Sequence, residues 1–210
     1  MDNNQILETA YELLLEKGFK ATTMEALSRR LQISKRTLYE IYENKNDIIL
    51  QALKHHYQIH HDRCDEIFRT SENVMEGMIR IFHLHSENLG KVNIEFFRDM
   101  DRLYPDLRHD YENNVSGITE QMQELFEAGI KQGVFIEDLN YKALSKILLL
   151  QMESLKRMEN SFTDDLTLAE IFNTMSICFL RSIASPKGLE LLNNNLPRYF
   201  PELSNHKSIK

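Results

Sequence analysis

Tryptophan is absent from this 210-residue chain, and cysteine (two), proline (four) and glycine (seven) are scarce. So few turn-formers argue against a many-stranded sandwich or barrel. No segment alternates apolar and polar residues with period two, so helix is the expected element throughout. Cys64 and Cys178 lie far apart and in no metal-finger spacing. That argues against a disulfide-stapled scaffold and favours a reducing, cytoplasmic setting. Basic residues are outnumbered, 25 Lys and Arg against 32 Asp and Glu, for a net charge of -7. A protein that coats nucleic acid over its whole surface would be basic throughout. No apolar run approaches a membrane span, and the opening MDNNQ lacks the basic start and apolar run of a signal peptide. A soluble protein without membrane contact is expected. Glycine-rich phosphate loops, a nucleophile elbow and an HExxH pair are all missing. No ordered set of acids, serines and histidines suggests a reaction class, so neither an enzyme nor a cofactor is expected.

What remains is 42% hydrophobic content, enough for a substantial core, arranged at helical spacing. The first helix is predicted from Asn3 to Lys17, with Ile6, Ala10, Leu13 and Leu14 inward, Gly18 stopping it and Phe19 closing its end. A long helix is predicted from Asp47 to about Arg69, joining an N-terminal head to a helical body without a flexible linker. Later helices are predicted near 73–89, 92–103, 106–132, 140–159 and 164–184, with a short piece near 187–194. Gly133 and the following VFIED run mark a turn.

The run TTMEALSRRLQISKRTLYEIYENK, residues 22–45, carries the most specific signal. Thr22 and Glu25 fit a capping box for a helix beginning near Thr23, with Leu27 and Leu31 inward and Arg29 and Arg30 outward. Gln32 and Ile33 make a turn. Ser34 caps a second short helix, Lys35 to about Tyr42, in which Leu38 and Tyr42 pack inward while Lys35, Arg36 and Tyr39 face away. Asn44 caps the next helix, which leaves Lys45 beside an N-terminus that favours a phosphate. Residues 1–45 are electrically neutral, yet Ser28 to Tyr39 holds four basic residues and no acid. A short helix held off a protein surface with such a face fits the major groove of DNA.

At these residues the chain resembles the DNA-binding domain of the TetR/AcrR family of transcriptional regulators. Thr23, Leu27, Ser28, Leu31, Ile33, Ser34, Leu38, Tyr39, Tyr42, Lys45 and Ile48 occupy the family's pattern positions. Gln32 departs from the usual turn glycine, Glu40 sits where a phosphate-contacting residue often lies, and Ile41 replaces a frequent histidine. The resemblance implies an all-α fold, with a helix-turn-helix domain over 1–46 and an effector-binding and dimerisation domain over 47–210. It also implies that Lys35, Arg36 and Tyr39 meet base edges or adjacent backbone, Met24 makes an apolar contact, and Thr23, Thr37 and Lys45 anchor phosphates. The implied partners are double-stranded DNA, a second copy of the chain and a small-molecule effector. The implied activity is repression relieved by that effector.

Two features of the body bear on function. Phe96, Phe97, Met100, Tyr104, Tyr111, Met122, Phe126, Met152 and Phe162 form aromatic and methionine stripes that pack a core or, on the resemblance, line an effector pocket. Leu144, Ile147, Leu148, Leu150, Met152 and Leu155, followed by Ile171, Phe172, Met175, Cys178, Phe179 and Ile183, cover more than one helix face. They therefore need partners on several sides, either as central helices of a monomer or, as the resemblance implies, in a four-helix dimer interface with their copies in a second chain. His56, His60 and Cys64 share one stripe of the long helix, with His83, His85 or His109 as further candidate ligands. The expectation is no metal site. A metal- or redox-responsive regulator is the alternative, together with a helical interaction module that does not bind DNA.

Overall fold

The computed structural model describes residues 2–92, 94–156 and 166–201, with side chains described except at 94, 95, 106–118 and 156. Ten helices are present among these residues: α1 (Asn3–Ala21), α2 (Met24–Leu31), α3 (Lys35–Ile41), α4 (Lys45–Thr70), α5 (Val74–Leu89), α6 (Ile94–Leu103), α7 (Pro105–Lys131), α8 (Tyr141–Lys156), α9 (Leu168–Ile183) and α10 (Pro186–Tyr199). The all-α expectation is met, and the ends agree with the predicted helices to within a few residues. The C-terminal piece is longer than expected: Ser185 caps it, Pro186 occupies its first turn, and it runs on through Pro197 to Tyr199. Residues 93, 157–159, 164 and 165 of the predicted helices lie outside the described residues.

Two apolar clusters organise the chain. The head's cluster gathers Ile6, Leu7, Ala10, Leu13, Leu14 and Phe19 of α1, Leu27 and Leu31 of α2, Leu38 of α3 and Tyr42 just beyond it. It continues into Ile48, Ile49, Ala52 and Leu53 of α4, so the first turns of that helix belong to the head's packing. Leu27 and Leu38 are fully buried, worth roughly 1.5–3 kcal/mol each. Gly18 adopts φ 74° and breaks α1 as expected, which turns Phe19 into the core.

The body's cluster centres on Met75, Ile79 and Phe82 of α5, Phe126 of α7, and Phe172, Leu180 and Ile183 of α9. The turn after α7 runs beside the end of α9, where Ile136 N–H donates to Ile183 O (2.9 Å). Gly188 of α10 lies so close that a Cβ there would come 2.0 Å from the Val134 carbonyl oxygen. α4 spans both clusters, since Phe68 near its C-terminal end packs against the body.

Candidate nucleic-acid interface

The helix-turn-helix assembles from its caps. Thr23, one residue later than the predicted Thr22, is the N-cap of α2, and its Oγ1 accepts from Ala26 N–H (3.1 Å). Thr22 is fully buried and donates its hydroxyl to Gly18 O (2.8 Å), closing the broken end of α1. Glu25 points outward instead of completing a capping box. At the far end of α2, Ile33 N–H donates to Ser28 O (3.1 Å) and Gln32 N–H to Arg29 O (3.4 Å), the paired closure of a Schellman turn. Gln32 takes the left-handed conformation this closure needs, φ 56° and ψ 34°. Ser34 then caps α3 through Thr37 N–H (3.0 Å).

The fully buried Leu38 and Tyr42 hold α3 against the head, and the Tyr42 hydroxyl donates to Asn3 Oδ1 (2.6 Å). Burial, and secondarily the Asp47 carboxylate, push the Tyr42 phenol up, so that hydroxyl keeps its proton. On the outer face Lys35, Arg36 and Tyr39 are all exposed, Tyr39 at 55%. Thr23 is exposed and Thr37 is half-buried, sharing a hydrogen bond with the Ser34 hydroxyl (2.9 Å).

Two expected contact residues are placed differently. Met24 is buried in the head's cluster: with Thr23 as cap, it starts the helix on the same side as Leu27 and Leu31. Lys45 is half-buried, and its ammonium donates to the carbonyl oxygens of Phe19 and Lys20 (3.4 Å to the latter). It therefore closes the C-terminus of α1 rather than projecting toward a phosphate. Burial lowers its pKa. The Asn44 side chain already accepts from Asn46 and Asp47 N–H (2.8 and 3.1 Å), so those amides are occupied.

Each of the four basic residues also has an acidic partner. Glu25 bridges Arg29 and Lys35, at 2.9 Å to each. Arg36 meets Glu40 at 3.0 Å, and Arg30 meets Glu16 at 2.9 Å and Glu12 at 3.7 Å. The hydrogen bond from Lys35, then that from Arg29, holds the Glu25 carboxyl below its ordinary pKa. Sequence reading missed this screening. The acids lie just outside the window that looked purely basic, and Glu12 and Glu16 arrive from α1.

The effector candidates divide between the clusters. Tyr104 is buried in the head's cluster, its ring 5.5 Å from that of Phe19, and its hydroxyl donates to Asn46 Oδ1 (3.1 Å). Phe96 and Met100 pack on the same cluster, Phe96 with its ring 5.3 Å from Phe19. These three thus join α6 and the start of α7 to the head. Phe126 is fully buried among Tyr141, Phe135 and Phe179, while Phe97, Met122 and Met152 sit at the edge of the body's cluster. The Tyr111 side chain and Phe162 lie outside the described residues.

A second surface lies on α8 and α9. Ile147 (48% exposed) and Leu150 (67%) join Leu155, Ile171 and Met175 around a shallow apolar depression of about 340 Å³. On the histidine stripe, the ring of His56 stacks on Tyr11 at 3.7 Å. Burial above all, aided by the positive neighbours His60 and Lys91, drives its pKa down to about 4. His60 and Cys64 instead meet His85 of α5.

Comparison with known proteins agrees with this geometry. A family model described as bacterial regulatory proteins, tetR family, matches residues 6–52. YdeS of Bacillus subtilis, an uncharacterized HTH-type transcriptional regulator, is 45% identical over 47 residues, 22% of this chain and 24% of that protein. The HTH-type transcriptional repressor NemR of Escherichia coli is 20% identical over 132 residues, 59% of this chain and 66% of its own length. The chain thus matches about a quarter of one curated relative and just under two thirds of the other. Among solved structures, a transcriptional regulator of Saccharomonospora viridis in complex with choline superposes with a TM-score of 0.70 at 20% identity, over 87% of this chain and 97% of that one. These likenesses favour neither a metal- or redox-responsive regulator nor an interaction module without DNA binding.

Proposed function

The chain belongs to the tetR family of bacterial regulatory proteins, and on that premise we propose that it is a DNA-binding transcriptional regulator acting as a homodimer on a palindromic operator. It represses until a small-molecule effector binds the helical body. The observation that carries this reading is α3: anchored by Leu38 and Tyr42, it presents Lys35, Arg36 and Tyr39 to solvent on one face. Arginine and lysine donate to guanine O6 and N7, and a tyrosine ring contacts a thymine methyl or its hydroxyl a phosphate. Thr23 and Thr37 hold flanking phosphates, whereas Met24 and Lys45 support the head from inside. One seven-residue helix reads little DNA, so two copies are needed to span half-sites a helical turn or more apart. The exposed Ile147 and Leu150 strip supports pairing through α8 and α9. The buried junction of Tyr104, Phe96 and Met100 with the head supports effector coupling, because a shift of α6 in the body must move α1 and the start of α4. The effector acts by preferring one head spacing over another.

Selection of genomic fragments with the purified chain tests the reading. One palindromic site should be enriched, and the dimer, making about six to ten phosphate contacts, should lose roughly 10³ to 10⁵ in affinity between 50 and 200 mM salt. Tyr39→Ala should weaken binding to the selected site more than to random DNA. Enrichment of no sequence, or affinity indifferent to salt, would refute it.

A further inference from the structure

We propose that His60, Cys64 and His85 form a binding site for a borderline or soft divalent metal ion, with zinc the best fit. One ligand atom from each residue lies within 4.8 Å of the others, and Cys64 Sγ is 3.7 Å from His60 Nδ1. Around a tetrahedral zinc ion with bonds of about 2.0–2.1 Å to nitrogen and 2.3 Å to sulfur, two nitrogens stand about 3.4 Å apart and a nitrogen and a sulfur about 3.6 Å. The His60–Cys64 pair already has this separation, and His85 lacks it by no more than about 1.4 Å.

The two helices make the arrangement sturdy. His60 and Cys64 stand one turn apart on α4, so their spacing is set by the helix itself, and His85 comes from α5 packed alongside. The donors are two imidazoles and one thiol without a carboxylate, which selects against magnesium and calcium and for zinc-like ions. All three residues are half-buried, so a fourth position stays open to water or another small ligand. Arg63 and Asp65 flank Cys64 with opposite charges. The rings of His60 and His85 now stack at 4.8 Å and 15°, so their lone pairs lie in separate, nearly parallel planes that no single ion can share. Binding therefore requires one ring to turn about its Cβ–Cγ bond, and the Cys64 thiol releases its proton to the solvent as the sulfur–metal bond forms. His56, the third member of the sequence stripe, takes no part because it is stacked on Tyr11.

Cobalt(II) and zinc titrations of the full chain, prepared without a histidine tag, test the site independently of DNA binding. One cobalt per chain should bind with a thiolate-to-metal charge-transfer band that zinc abolishes. Cys64→Ser should eliminate the band. His85→Asn should lower zinc affinity by at least about 10–100-fold, the loss known for removal of a mere supporting group around a metal. His56→Asn should leave both unchanged. A wild-type chain without the band, or one whose zinc affinity His85→Asn does not alter, overturns the proposal. The wild-type spectrum decides the matter even if a variant fails to fold.

Discussion

Replacing Gln32 by glycine should make the protein more stable, although it removes a side chain. Gln32 is exposed and holds φ 56°, a conformation that costs an L-residue roughly 1–2 kcal/mol. Glycine escapes that cost but loses more backbone freedom on folding, about 0.4–1 kcal/mol. The difference is a net gain of about 0.5–1 kcal/mol, equivalent to a rise in melting temperature of roughly 1–4 °C for a chain of this size. Because the Schellman hydrogen bonds are made by backbone groups, they survive the change. Differential scanning calorimetry of wild type, Gln32→Gly and Gln32→Ala is the assay. Alanine keeps the Cβ and the strain, so it should stay near wild type. Equal melting temperatures for the glycine and alanine variants would refute the argument, since loss of the glutamine side chain would then account for everything.

Glu25→Gln removes the carboxylate shared by Arg29 and Lys35, and should tighten DNA binding roughly tenfold at low salt while steepening its salt dependence; unchanged affinity by fluorescence anisotropy would show that the bridge does not compete with phosphate. Leu150→Glu charges the exposed α8 strip and should convert a dimer to a monomer in analytical ultracentrifugation at unaltered helicity, whereas a persistent dimer would place the interface elsewhere. His56 titrates near 4 when folded against about 6.5 when unfolded, so the unfolded chain binds more protons between those values, and stability contributed by the neutral ring is lost as pH falls from about 6.5 toward 4. Urea midpoints should drop across that window, and His56→Gln should flatten the decline; identical slopes would assign the effect to other groups.

The helices and turn of the head were readable because their signals are local: a cap, a four-residue apolar spacing and a turn all lie within a few positions of one another, although the cap of α2 sits one residue later than read and forms no capping box. At Gln32 the resemblance marked the position, as the place where a turn glycine is usual, and the structure supplies the left-handed conformation. Pairings formed across the fold were not readable. Lys45 looked free because the α1 carbonyls it closes are twenty-five and twenty-six residues away. The basic face looked unopposed because Glu12 and Glu16 arrive from another helix. The aromatic stripe of α6 looked like one lining because periodicity reveals a face but not which cluster that face meets. His85 could be told from the other described candidate, His83, only when α5 was laid beside α4, and helical spacing along a single segment had also nominated His56, which stacks on Tyr11.

The uninterrupted run of α4 has a mechanical consequence. Twenty-six residues at about 1.5 Å each make a rod of about 39 Å whose two ends are embedded in different clusters. Pivoting by about 5° at its Phe68 end, such a rod sweeps its Lys45 end through about 3 Å. In a symmetric pair the two tips would part or close by up to about 6 Å, about a sixth of the roughly 34 Å repeat of the double helix. A small rotation of α4 where it meets the body would thereby be amplified into a misfit with the groove, and a stiff lever can serve as a switch without any joint of its own.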